Sequence, residues 1–130
     1  MAGYIPPVDD ISFLLGEVFD FDAQMATLPG FEEVNTELAT SVMEEGGKFC
    51  AEILEPLNRP GDEEGCKLEN GLVTTPKGVS DAYRAFVEAG WGGLSGDPEF
   101  GGQGLPRALQ ILLDEMLSSA NLSFGLFPGP

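Results

Sequence analysis

The sequence contains no histidine, six basic residues against 22 acidic ones, two cysteines and one tryptophan in 130 residues. Each scarcity removes a class of chemistry. With no histidine and only Cys50 and Cys66, the chain cannot assemble a structural zinc site, a Ser-His-Asp triad or a Cys-His pair from its own residues. The net charge of −16 argues against nucleic acid or an anionic membrane as partner, since both need clustered cations. No uncharged run supplies the roughly 18 apolar residues of a membrane span. The longest, Met116 to Pro130, is broken by serine, asparagine, glycine and proline. The opening Met1-Ala-Gly-Tyr-Ile-Pro-Pro7 lacks the basic and apolar blocks of a secretory signal, so free thiols in a reducing cytoplasm are expected.

What is present supports a packed core: 42% of the residues are hydrophobic, enough for one domain's worth of burial. The charge is uneven. Residues 1–69 hold 16 acids and 3 bases, whereas residues 70–130 hold 6 and 3. The most informative stretch is Gly90 to Pro106, in which seven of seventeen residues are glycine around the only tryptophan, Trp91. A flexible glycine linker comes with serine and without aromatics; this one reads as a loop of close backbone packing.

The spacing predicts an all-α fold, a bundle of about four helices. Pro6 and Pro7 keep the first residues extended. Ile11, Leu14, Leu15, Val18 and Phe19 then recur at helical spacing from about Asp10 to Asp20. A long helical stripe follows from about Phe31 to Leu57, with a kink or fraying expected at Gly46-Gly47 because each interior glycine costs roughly 1 kcal/mol. Residues 58–79 break the rhythm, and Asn70-Gly71 suits the turn of a short hairpin there. Ser80 is a candidate cap for a helix burying Val79, Ala82, Tyr83, Phe86 and Val87. Pro106 opens a last helix whose buried face is Leu109, Leu112, Leu113, Met116, Leu117 and Ala120. After it, Leu122, Phe124, Leu126 and Phe127 form an uncharged apolar tail that some further surface ought to cover.

Several motifs fail on detail. Gly102-Gln-Gly104-Leu-Pro-Arg107 lacks the third glycine and the preceding strand of a dinucleotide fingerprint. Asp20-Phe-Asp22-Ala-Gln24 starts like a calcium loop but has Met25 and Phe31 where glycine and glutamate are required. Asp62-Glu63-Glu64 reads as a solvated charge run. Adjacent acids such as Asp114-Glu115 point about 100° apart on a helix and cannot face each other as an acid/base pair. Trp91, Tyr83, Phe86 and Phe100 read most simply as core aromatics holding the loop to the helices, with the wall of an apolar ligand pocket as the functional alternative. Ser118, Ser119, Asn121 and Ser123 read as groups that cap or solvate a helix end.

Gly90-Trp-Gly-Gly-Leu, then Asp97-Pro-Glu-Phe-Gly-Gly-Gln-Gly-Leu-Pro106, then Asp114-Glu-Met and Ala120-Asn-Leu-Ser-Phe124, resemble the N-terminal helical domain of the acyl-CoA dehydrogenase family. Tyr4-Ile-Pro-Pro-Val-Asp9, Leu28-Pro-Gly-Phe31, Pro56-Leu-Asn-Arg-Pro-Gly-Asp62 and Val73-Thr-Thr-Pro-Lys-Gly78 are similar to its long subclass, which includes methylthiopropanoyl-CoA dehydrogenase. The family usually has tyrosine where this chain has Phe100.

The resemblance implies an N-terminal extension with a short helix at 1–30 and the helical domain at 31–130, with the flavin domains lying downstream. In the complete enzyme it implies FAD and α,β-oxidation of an acyl-CoA thioester, with the catalytic glutamate outside this chain. No cofactor is then expected on this chain alone, and no residue here is assigned to catalysis or to a metal. It places Ser123, Phe124, Phe127 and Pro128 at the acyl pocket, and Trp91, Pro98, Phe100, Gly101 and Gly102 in a structural loop. Partners implied are acyl-CoA through the complete enzyme, the downstream flavin domains or a partner subunit, and further copies in a homo-oligomer at full length. From a different class, an acidic helical module that binds an apolar ligand or protein through the Trp91 loop and the Phe124–Phe127 tail fits the same residues.

Overall fold

The first helix starts where the proline restraint ends. In the computed structural model, which describes residues 3–128, α1 (Val8–Phe13) follows Pro7, carries Asp9 and Asp10 in its first turn, and continues as a π-helical turn, Leu14–Val18. Carboxylates there suit the positive helix end. A short helix not expected from the sequence, α2 (Phe21–Ala26), buries Phe21 and Met25. Asp22, in the stretch that imitates a calcium loop, reaches instead to the next helix and accepts hydrogen bonds from the Thr36 hydroxyl and amide, both at 2.6 Å. Those bonds, the hydroxyl's first, hold its carboxyl below the usual range. The tie is therefore present at neutral pH and lost as pH falls below about 4.

The long helix starts later and ends later than its sequence signals. Asn35 accepts from the Leu38 amide at 2.8 Å and opens α3 (Thr36–Phe49), which passes through a π turn at Cys50–Leu54 into α4 (Glu55–Glu64). Pro60 does not stop it; α4 buries no residue and ends at Gly65, which has φ +66°. The glycine pair causes no kink. A Cβ on Gly46 would stand 2.8 Å from Leu113 Cδ1, and one on Gly47 2.7 Å from Pro6 Cβ. These glycines let the last helix and the N-terminal segment approach the middle of α3, and the irregularity falls instead at Cys50–Leu54.

The Asn70-Gly71 turn forms as expected. Strands β1 (Lys67–Glu69) and β2 (Leu72–Thr74) pair antiparallel with Glu69 opposite Leu72. Asn70 at φ 52° and Gly71 at φ 78° occupy the left-handed positions of a type I′ turn. α5 (Val79–Glu88) opens at Gly78, not under a Ser80 cap, and buries only Ala82 and Phe86. Tyr83 and Val87, on the neighbouring ridge, are exposed. α6 (Arg107–Ala120) has Pro106 as its cap residue and buries Leu109, Leu113, Met116, Leu117 and Ala120, with Leu112 partly covered. α7 (Leu122–Gly125) follows after Asn121.

The fold is all-α with one small hairpin. α3 packs against both α1 and α6, and Met43, Leu54, Leu109, Leu113 and Met116 are wholly buried in the core. Ile11, Leu15, Phe21 and Met25 from the first thirty residues belong to the same core.

Both cysteines are free thiols in opposite surroundings. Cys50 is fully buried in the π turn and Cys66 is exposed beside β1. Burial pushes the Cys50 thiol up to about 12, so its contribution to stability is intact below pH about 9 and is lost as pH rises toward 12. Titration with a disulfide reagent near pH 8 should find one fast thiol per chain, Cys66, with Cys50 reacting only on unfolding; two fast thiols would contradict this burial.

Candidate functional site

The glycine-rich loop folds on its own backbone. It leaves α5 at Gly90 (φ +77°), makes a 3-10 turn at Trp91–Gly93, and drops Leu94 into the core. Asp97 caps a second 3-10 turn, Pro98–Phe100, by accepting from the Glu99 amide at 2.8 Å, and Gly101 (φ +87°) reverses the chain. The returning segment pairs with the outgoing one: Gln103 N–H donates to Gly93 O at 2.8 Å, Gly104 to Gly96 at 2.9 Å, and Leu105 to Leu94 at 3.0 Å. Gly102 N–H donates to Asp97 O at 3.0 Å, and the Gln103 side chain donates to Gly90 O.

These four amides are spent inside the loop and are not free to cradle a phosphate, which requires several unpaired N–H groups pointing at the anion. The pairing demands glycine at 102: a Cβ there would lie 2.1 Å from the Gly96 carbonyl carbon. Trp91 is partly buried against the core and stands over Gly46, whose absent Cβ would be 3.8 Å from its ring. Phe100 departs from the core-aromatic reading. The 3-10 turn aims it outward and leaves it 84% exposed, while Pro98 packs on Gly104.

The loop delivers α6, and the far end of α6 builds a second feature. Asn121 is buried there; its Oδ1 accepts from the Phe124 amide at 3.1 Å and starts α7, while its Nδ2 donates to Leu54 O at 3.1 Å in the π turn of the long helix. One side chain thus fixes α7 against the α3–α4 junction. Asn121→Ala removes a cap and a buried donor and should cost about 2 kcal/mol. Asn121→Asp keeps the cap but sets an oxygen against the Leu54 carbonyl. Its carboxyl should titrate high, so the variant should regain stability as pH falls from 7 to 5 in urea melts; equal stability at both pH values would refute that geometry.

So held, Phe124 completes an aromatic cluster with Phe86 (5.7 Å between centroids) and Phe49 (6.5 Å), and Phe127 meets Tyr83 edge-on at 6.2 Å. Between α7, α4 and the segment leading into α5 lies a cleft of about 270 Å³. Phe124, Phe127, Leu57 and Val79 supply its apolar lining, and Asn58, Asp62, Thr75, Asn121 and Ser123 its polar groups; Cys66 stands at its side.

Three of the four residues expected at a pocket, Ser123, Phe124 and Phe127, therefore share one cleft. Pro128 lies in a separate hollow of about 280 Å³ with Tyr83, Val87, Gly90, Gly93 and Gly101, so that Gly101 is also brought beside α5. Trp91, Pro98, Phe100 and Gly102 line neither. The opposite wall, Leu57 to Cys66 with Thr75 and Pro76, was invisible to sequence reasoning. Its one signal is the apolar pair Leu57 and Val79 standing on either side of an otherwise polar, proline- and glycine-rich run.

No family model matches the chain. Two curated proteins do: it is 41% identical over 125 residues to 3-methylmercaptopropionyl-CoA dehydrogenase of Ruegeria pomeroyi, and 27% identical over 127 residues to butyryl-CoA dehydrogenase of Syntrophomonas wolfei. The matches take in 96% and 95% of this chain but 21% of each relative, so the chain spans about a fifth of their length. Both are acyl-CoA dehydrogenases by name, in accord with the resemblance carried by the glycine-rich loop and the last helix.

Proposed function

We propose that this chain, similar along nearly all its length to two acyl-CoA dehydrogenases, is the N-terminal helical domain of such an enzyme, with an N-terminal extension at 1–30 and the domain proper at 31–130. In the complete enzyme it lines the acyl end of a thioester substrate pocket. The observation that carries this reading is the cleft at the α6–α7 junction, which gathers Ser123, Phe124 and Phe127 against Leu57 and Val79. An apolar wall of that kind takes up a hydrocarbon chain at about 25 cal/mol per Å² removed from water. Asn121, buried and doubly bonded, keeps the wall in place.

The resemblance assigns to FAD the acceptance of a hydride from the acyl β-carbon. The residues here do not suit its pyrophosphate, because the loop's amides pair with one another; the flavin site and the proton-abstracting carboxylate belong to the downstream domains. What this chain contributes is position and the exclusion of water. Tyr83, Val87, Phe100 and Leu126 are exposed, and to them we assign the packing on the flavin domains. No helix among the described residues is long and apolar enough to cross a membrane, and we place the enzyme in the cytoplasm as a homo-oligomer.

Calorimetric titration of the chain with butyryl-CoA tests the domain reading against the binding module. A pocket with one wall missing should show no saturable binding below about 1 mM, worth roughly 4 kcal/mol. Micromolar binding to the isolated chain would favour the module.

A further inference from the structure

The face of α1 turned away from the core is not used by anything described above. At four-residue spacing two ridges lie side by side along it, Asp9–Phe13–Glu17 and Asp10–Leu14–Val18. Ile11 and Leu15 face the core, whereas Phe13, Leu14 and Val18 are 58%, 43% and 54% exposed, and Phe19 just beyond them is 56% exposed. The sequence periodicity counts Leu14, Val18 and Phe19 as core, yet the π turn at Leu14–Val18 leaves them in solvent. Contiguous apolar side chains on a surface mark an interaction site more often than scattered ones do.

The charge around this stripe selects its occupant. The first 47 residues carry ten carboxylates, and the first lysine or arginine is Lys48. Asp9, Asp10, Glu17 and Asp20 are exposed, and no basic side chain pairs with them among the described residues. A second copy of the chain would bring carboxylates onto carboxylates, and like charges across an interface oppose association. A nucleic acid or an anionic membrane is repelled for the same reason. A tethered segment of the same polypeptide arrives at millimolar effective concentration and gains little from steering. Uncompensated charge benefits a partner that arrives by diffusion, whose association it accelerates.

We propose that the outer face of α1 docks a separate protein through an amphipathic helix with an apolar stripe rimmed by lysine or arginine. The apolar contact runs along Phe13, Leu14, Val18 and Phe19, and the rim pairs with Asp9, Asp10, Glu17 and Asp20. The surface takes no part in the cleft at α7, so it stands or falls apart from the proposed function.

The probe is a synthetic helical peptide with one leucine face flanked by lysines, titrated into the chain by calorimetry at low and high salt. We expect one saturable site that weakens by about tenfold or more across the salt range, and a loss of at least about tenfold in the variant F13S/L14S/V18S, which leaves the charge unchanged. A second variant, D9N/D10N/E17Q, leaves the apolar stripe whole and should lose most of the salt dependence. The proposal is overturned by equal binding to the serine variant, by equal binding of a scrambled peptide of the same charge, or by the absence of binding. It is also overturned if sedimentation shows self-association through this face that the serine variant abolishes. Should the serine variant lose its helical circular dichroism, the charge variant and the scrambled peptide decide alone.

Discussion

Gly102→Ala should lower the stability of the chain by about 3 kcal/mol and its midpoint temperature by on the order of 10 °C. Nothing in the conformation of Gly102 forbids alanine; the obstacle is the Gly96 peptide, which a Cβ would meet at 2.1 Å at its carbonyl carbon and oxygen. Backbone is on both sides of that contact, so relief requires separating the two arms of the loop. The bonds from Gln103 to Gly93 and from Gly104 to Gly96 are then lost as well. Gly101→Ala, one residue earlier, isolates the other kind of cost. It has no atom within 4 Å of its Cβ position and φ +87°, so it should lose only about 1–2 kcal/mol through left-handed strain. Urea denaturation of the two variants distinguishes them; equal losses would mean that the loop arms are not in contact.

Phe124→Ala should cost about 4 kcal/mol, whereas Phe127→Ala, three residues on, should change stability by no more than about 0.5 kcal/mol. Both rings line the cleft, but only Phe124 is core. It is 4% exposed and in contact with Phe49 and Phe86, while Phe127 is 66% exposed and touches the edge of Tyr83. Phe124→Leu keeps most of the volume and should lose less than about 1.5 kcal/mol. If Phe127→Ala proved as damaging as Phe124→Ala, the tail would be part of the core and not the free wall of a cleft.

Helical spacing and turn chemistry made much of this architecture readable. Asn70-Gly71 names its turn because few other pairs accept two left-handed residues, and α6 announces itself through Leu109, Leu113 and Met116. The misread positions share a cause: their meaning depends on what lies across from them. Gly46 and Gly47 look like a weak point until Leu113 and Pro6 are seen against them. Pro60 suggests a helix end, but α4 runs through it to Glu64 with no residue buried. Phe100 looks like core because aromatics usually are, and only the 3-10 turn turns it outward.

At the cleft, one wall came from the resemblance and the other from the fold. Ser123, Phe124 and Phe127 were named from the end of the last helix, whereas Leu57, Asn58 and Asp62 reach the cleft because Asn121 ties α7 to Leu54, 67 residues away in sequence. No local pattern encodes that bond. The glycine-rich loop, read from the sequence as one of close backbone packing, pairs with itself and leads into α6, at whose far end Asn121 stands.

Complementation tests the central claim most directly. The Ruegeria pomeroyi relative, shortened by the fifth of its length that this chain matches, is mixed with this chain and assayed for oxidation of 3-methylmercaptopropionyl-CoA by an artificial electron acceptor. A domain of this enzyme class should bind the shortened protein and restore turnover, and the chain carrying Phe127→Ala should associate equally well but raise KM for the thioester. Two folded polypeptides that neither associate nor turn over substrate would contradict the account.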